Sequence, residues 1–371
     1  MKKDKNLTKQ NIAVKRWLIK LKREGIEYSP YRQKKKGKGR KESSYIQFPE
    51  IFCIYEYENK KNFRNVLEII DNIDRETKTK VMLDFSKVRY LKVAAMLILY
   101  ASVEKAIFRG ISFKVCSLSK ENKVNRILKN SGFITLCRNN ELIPFFDQDY
   151  MPVVSGIGGQ YRDEIVDFIQ EKIYKDRMSP DTESIYGGAV HETINNVSYH
   201  AYPELDANKK RWWVKCDLTK EQLYLAIHDK GVGIPETVTN KSWYGDTLTL
   251  SQPKLVKKIH EDLMKNDLDV SQLRLKIALG LVSDAIKIAV SMVDDISGTG
   301  ETKHGQGSKS IKALVNKNEH GKLWIFSRNG LYIINGDDVK VIDLPSPVKG
   351  TLIQWNIKVE YDEPENNNNC E

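Results

Sequence analysis

Three polar residues spaced by four, Glu192, Asn196 and His200, fall in the stretch Gly188–Ala201. Their types suit nucleotide chemistry. A carboxylate can orient and deprotonate a water, and an amide oxygen suits a hard cation such as Mg2+, which takes oxygen ligands. The same pattern also describes a solvated polar helix face.

Two other stretches carry comparable chemistry. In His228-Asp229-Lys230-Gly231-Val232-Gly233-Ile234-Pro235, an aspartate at a strand end precedes two glycines, where backbone can approach a ligand closely. Asp229 could accept the exocyclic amine of a base, or the segment is a glycine-rich turn. In Ser297–Lys309, Gly298, Gly300, Gly305 and Gly307 leave N–H groups free to wrap phosphates, with positive charge from Lys303, His304 and Lys309. Ser308 onward looks like a helix start. A flexible surface loop has the same composition.

These residues need elements to hold them. Ser179-Pro180 predicts a helix start, a hydroxyl N-cap before proline, with Asp181 and Glu183 in the first turn. Val190, Ile194, Val197 and Ala201 form its apolar stripe, leaving Glu192, Asn196 and His200 on roughly the other face. Ile165, Phe168, Ile169 and Ile173 predict a helix before it. Strands are predicted at Arg211–Leu218, with Trp212, Val214, Cys216 and Leu218 on one face, and at Leu223–Ile227. Four more, at 322–327, 330–335, 339–344 and 350–357, read as an antiparallel meander. Helices are expected at 253–265 and 271–293.

Upstream, strands at 45–57, 81–85 and 111–118 alternate with helices marked by Phe63, Val66, Leu67, Ile70 and Ile73, by Val93–Phe108 before Gly110, and by Asn122–Asn130. Alternation of this kind indicates an α/β layer. Residues 147–160, with Pro152, Gly156, Gly158 and Gly159, read as a linker.

The order of elements over residues 45–146 resembles the STAS fold of anti-sigma-factor antagonists. That family's phosphoacceptor turn corresponds here to Lys92-Val93-Ala94-Ala95, which has no hydroxyl. The resemblance implies a protein-binding module without the usual phospho-switch.

Over residues 161–358 the ordered set Glu192-x-x-x-Asn196, Asp229-x-Gly231-x-Gly233, Gly305-x-Gly307 and Gly350-Thr351 resembles the boxes of the GHKL ATPases. These include gyrase, the ninety-kilodalton heat-shock chaperones, histidine kinases, anti-sigma kinases and mismatch-repair ATPases. The resemblance implies an α+β fold, a two-layer Bergerat-type α/β sandwich binding ATP and Mg2+ under a mobile lid. It implies that Asn196 holds Mg2+ and Glu192 activates the attacking group. Asp229 reads adenine, with Thr351 acting through a water. Gly231, Gly233 and Ile234 line the nucleotide, and Lys303, His304, Gly305, Gln306 and Gly307 hold the phosphates. Ser308-Lys309-Ser310 departs from the histidine-kinase version, and no upstream hairpin carries a phosphoacceptor histidine, so a sensor histidine kinase is not expected. His200 is expected to pack or to support the site residues from behind, not to accept phosphate.

Charge and composition bound the rest. The formal net charge is +11 over 371 residues. Residues 1–44 hold 16 Lys/Arg and 4 Asp/Glu, a net of +12, so the remainder is near neutral at −1. This basic tail suits nucleic acid, an acidic partner or solubilisation. No apolar stretch is expected to cross a membrane: Val93–Val103 is too short, and 277–293 carries Asp284 and Lys287. Five cysteines without paired spacing argue against zinc and for reduced thiols in a cytoplasm. Residues 359–371 read as a frayed polar tail. An ATPase or protein kinase is expected, with a non-catalytic ATP switch and a nucleic-acid-associated ATPase as alternatives; a homodimer is left open.

Overall fold

The computed structural model describes residues 43–140, 150–239, 283–292 and 306–361. The chain divides into two units at Val154/Ser155.

In the first unit, β1 (Ser43–Gln47), β3 (Lys80–Asp84) and β5 (Ser112–Ser117) form a parallel sheet in the order β1-β3-β5. A short parallel pair, β2 (Ile51–Phe52) and β4 (Tyr90–Leu91), lies apart from it. The stripe Phe63, Val66, Leu67, Ile70 and Ile73 is the buried face of α1 (Lys60–Arg75), which Asn59 caps through its side chain. Helix α2 (Val93–Phe108) is buried almost throughout and gives way to Gly110 at φ +91°, as its sequence predicts. Phe48 stacks on Phe85 with centroids 4.1 Å apart, and Phe133 meets Phe85 edge-on. After α3 (Asn122–Asn130) comes a helix not anticipated, α4 (Phe133–Asn139). Gly132, at φ +78°, turns the chain directly into it instead of into a loop.

The stretch read as a linker contributes an edge strand, β6 (Val154–Ile157). Its glycine has a packing reason: a Cβ on Gly156 would lie 2.2 Å from the Trp212 ring. Then follow α5 (Arg162–Phe168), continued by a π-helical turn over Ile169–Ile173, and α6 (Pro180–Asn196). Next come β7 (Arg211–Thr219), β8 (Gln222–Asp229), α7 (Ile234–Thr239), α8 (Asp284–Ser291) and α9 (Gln306–Asn316). The last elements are β9 (Lys322–Asn335) and β10 (Asp338–Lys358).

The sheet order is β6-β7-β8-β10-β9, antiparallel from β7 onward. Four expected strands are thus two long ones. Asn329-Gly330 does not reverse the chain. Arg328, at φ +52°, bends β9, and Gly330 sits where a Cβ would lie 2.6 Å from the Ala285 nitrogen. Pro345 and Pro347 fall in the register shift between Asp343 and Val348, where their missing N–H groups are tolerated. The reversal is at Asn335–Asp338, with Gly336 at φ +60°.

Strand β7 is buried on both faces: Trp213 and Lys215 as well as Trp212, Val214 and Cys216, while Leu218 is exposed. The expected single apolar face is therefore corrected. Lys215 is satisfied internally by Asp217 and by the Cys216 carbonyl at 3.0 Å. The first residues of the expected frayed tail are held too. Val359 N–H donates to the Glu221 carbonyl at 2.7 Å, and the Arg177 guanidinium lies 4.2 Å from the Tyr361 ring centroid. The expected helix 253–265 lies outside the described residues, as does most of 271–293, of which 284–291 is helical. Among the described residues no helix is long and apolar enough to cross a membrane.

Candidate functional site

Helix α6 begins as its sequence dictates. The Ser179 hydroxyl accepts from Thr182 N–H at 3.2 Å, and Pro180 occupies the first turn. Val190, Ile194, Val197 and Ala201 are all buried. Glu192 and Asn196, one turn apart, are half-buried.

Beyond Asn196 the helix widens into a π turn, Val197–Ala201. The carbonyls of such a helix end need partners. Ser198 O accepts from Lys210 Nζ at 2.7 Å, and Ala201 O accepts from Val232 N–H at 2.8 Å. His200 is exposed, its ring 6.2 Å from that of Tyr199, which does not fit the packing half of its expected role.

The Ala201 carbonyl leads to Asp229. This residue ends β8, paired across to Trp212 on one side and Thr351 on the other. It is 5% exposed. Burial pushes its carboxyl up to about 7; the Gly231 amide and the Thr351 amide and hydroxyl pull the other way. The Gly231 amide donates at 2.7 Å.

The glycines here are packing necessities. A Cβ on Gly231 would lie 2.0 Å from Ala201 O, and one on Gly350, at φ +74°, 2.0 Å from Asp229 O. Gly233 lies at φ +88° and leads into α7, whose first residue, Ile234, donates its N–H to Ser327 Oγ at 2.9 Å.

Two further residues shape this corner and were not anticipated. The Tyr202 hydroxyl donates to Arg211 O and accepts from Lys230 N–H, both at 2.8 Å. Ser327, fully buried, is the cross-strand partner of Thr351. Only strand register reveals Ser327; in sequence it is an ordinary strand-end serine.

Upstream of the π turn, α6 meets α9 at Gly188 and Glu192. This helix is described from Gln306, the first described residue after 292, so the expected start at Ser308 lies within helix and Gly307 in its first described turn. A Cβ on Gly307 would lie 2.3 Å from Glu192 Oε1 and 3.0 Å from Glu192 Cδ. The Glu192 carboxylate thus rests against the first described turn of α9; a helix start is the kind of position that favours phosphate. Trp355 Nε1 donates to Ile311 O at 2.8 Å and fastens α9 to the sheet. Lys303, His304 and Gly305 lie outside the described residues.

Nine residue steps of helix lead from Glu192 to Ala201, about 13 Å at the α-helical rise. Helix α6 and its π turn therefore link the buried Asp229 corner to α9, with Asn196 between Glu192 and Ala201 in sequence. Among the described residues no three His, Cys, Asp or Glu side chains gather as a metal centre. A Mg2+ shared between one amide, phosphate oxygens and water needs no such cluster. No family model and no curated protein matches the chain.

Proposed function

We propose that residues 155–361 form a GHKL-type unit that binds ATP with Mg2+ and either hydrolyses it or passes its γ-phosphoryl group to a protein. The observation that carries this reading is a convergence. Glu192 lies against Gly307, and Ala201, at the other end of the same helix, is hydrogen-bonded to the loop after Asp229. Two segments far apart in sequence thus meet the same helix and its π turn.

In this reading Asp229 accepts the base's exocyclic amine, with Thr351 beside it. Gly231, Gly233 and Ile234 present backbone to the nucleoside, because side chains at the two glycines would collide with Ala201 and Ser327. Asn196 supplies an oxygen to Mg2+, and the ion, when bound, neutralises charge on the phosphates. Gly307, with Lys303, His304, Gly305 and Gln306 before it, holds the phosphates at the start of α9. Glu192 orients a water or an acceptor hydroxyl for in-line attack. Its carboxylate must then leave the first turn of α9, since phosphates and a carboxylate compete for the same positive helix end.

The first unit would serve as the protein-docking module, and the basic segment 1–44 would add an acidic partner or nucleic acid. The free thiols of Cys53, Cys116, Cys137 and Cys216 suit a reducing compartment. Incubation with γ-labelled ATP and Mg2+, scored for free phosphate against labelled protein, tests the reading. Tight ATP binding without release or transfer, with every partner tried, would replace the enzyme with an ATP-sensing switch. Absence of ATP binding would sink both.

A further inference from the structure

Charge is divided unevenly within the first unit. Residues 77–140 carry 13 Lys/Arg and 3 Asp/Glu. Two of the three acids, Asp84 and Glu104, are buried, so this stretch shows only Glu121 to solvent as an acid.

The sheet brings part of this charge together. Strands β3 and β5 run parallel with Asp84 opposite Ser117, so the segments that leave them emerge at the same end. Lys87 and Arg89 follow β3, Lys120 and Lys123 follow β5, and all four are exposed. Hydrogen bonds hold the two segments side by side. The buried Ser119 hydroxyl donates to the Val88 carbonyl, and Phe85 N–H donates to the Ser117 carbonyl at 3.0 Å. Among the described residues, Arg89 alone of the four cations has an ion pair, with Glu50 at 3.2 Å, and both partners are exposed. Pairs of that kind contribute little. Lys123 lies in the first turn of α3, the helix end that disfavours a cation.

The same two segments carry exposed apolar side chains. Tyr90 is 41% exposed and Leu118 49%. The Lys92 amine stands 5.2 Å from the Tyr90 ring centroid. Like charges on adjacent segments repel, and a polyanion relieves that repulsion. An aromatic ring among the cations adds a flat surface. A single strand of nucleic acid uses both features: its phosphates meet the cations while an unpaired base stacks on the ring. The carboxyl ends of parallel strands are also where open α/β sheets take ligands.

We propose that the segments after β3 and β5 form a binding surface for single-stranded nucleic acid, with Lys87, Arg89, Lys120 and Lys123 on phosphates and Tyr90 stacked on a base. Neither the basic segment 1–44 nor the ATP reading of residues 155–361 enters into it.

The test is fluorescence anisotropy of a labelled oligothymidylate titrated with the full chain, between about 50 and 200 mM salt. Wild type is compared with three variants: Lys87→Gln/Lys120→Gln/Lys123→Gln, Tyr90→Ala, and a control of equal charge, Arg75→Gln/Lys78→Gln/Lys80→Gln. The control residues are exposed and lie at the opposite end of β3. Wild type should bind, more weakly as salt rises. The Lys87/Lys120/Lys123 variant should lose about 2 from the slope of log affinity against log salt, at roughly 0.7 per phosphate contact. Tyr90→Ala should bind about tenfold more weakly with its slope unchanged, the scale of one stacked base. The control should behave as wild type.

Equal losses in the two charge variants would reduce the effect to net charge and overturn the proposal. Wild-type affinity and slope in the Lys87/Lys120/Lys123 variant would overturn it and assign the nucleic acid to segment 1–44. Wild-type affinity in Tyr90→Ala, or no binding by wild type, would overturn it as well. Displacement of the oligonucleotide by poly-glutamate at equal charge would replace the nucleic acid with an acidic protein segment.

Discussion

Gly307 and Glu192 share one small volume: the space a side chain would need at residue 307 is filled by the carboxylate of residue 192, 2.3 Å from where a Cβ would stand. The atom in the way is the far end of a flexible side chain, not backbone. Gly307→Ala should therefore cost little stability, within the ~0.5 kcal/mol typical of benign substitutions. It should displace Glu192 and lower turnover by about tenfold or more. Urea melts set against steady-state phosphate release will show whether the two effects separate; a large stability loss with unchanged turnover would contradict the assignment.

Glu192 and Asn196 should fail differently. Glu192→Ala should keep ATP affinity and lose about 10²-fold in turnover, the scale of a general base. Asn196→Ala should lose the Mg2+-dependent part of nucleotide binding. In the proposed reading the first residue acts on the transition state and the second on the ground-state complex. Wild-type turnover in Glu192→Ala would place the base elsewhere.

Gly231 offers no comparable escape, because the obstructing atom is the backbone carbonyl of Ala201, 2.0 Å from a would-be Cβ. Gly231→Ala should cost roughly 1–3 kcal/mol, the range for overpacking, and break the Val232 to Ala201 hydrogen bond. Faster amide exchange at Val232, read with equilibrium unfolding, checks this. A native-like melting curve would mean the loop relaxes freely.

Asp229 ties stability to pH. Its folded-state value of about 7 lies above the ordinary carboxylate value. The folded chain therefore holds this proton longer than the unfolded chain does. The associated stability is fully present below pH ~4 and is lost as pH rises through about 7. Asp229→Asn removes that titration. Between pH 5 and pH 8, wild type should lose on the order of 2–4 kcal/mol relative to the variant. The variant should also bind ATP at least about tenfold more weakly, for want of a charged hydrogen bond. Parallel denaturation curves at pH 5 and pH 8 decide the first point; identical pH slopes would show that Asp229 ionises freely in the fold.

Local rules made much of this legible. The Ser179-Pro180 start, the buried stripe of α6 and the strand ending at Asp229 follow from capping, periodicity and β-rich composition. Asn122–Asn130 appears with its expected bounds. Tertiary contacts hid the rest. Asn329-Gly330 carries the signature of a turn, yet α8 presses its backbone against Gly330 and the strand continues. Lys215 is a charge that pattern reading assigns to solvent, and its burial depends on Asp217 two residues on. Ser327 gains meaning only from register with Thr351, and the meeting of Glu192 with Gly307 only from the packing of α6 on α9.

The wide turn at Val197–Ala201 makes the chain length at this point consequential. Removing any one residue there could restore an ordinary α-helix, with no local hydrogen bond forfeited. Each residue of an α-helix turns the chain by about 100°. Such a deletion would swing the Ala201 carbonyl away from Val232 and uncouple the Asp229 loop from the helix that carries Glu192. Single-codon deletions across 197–201 should therefore be rejected under selection for activity, while exposed Tyr199 and His200 accept many replacements.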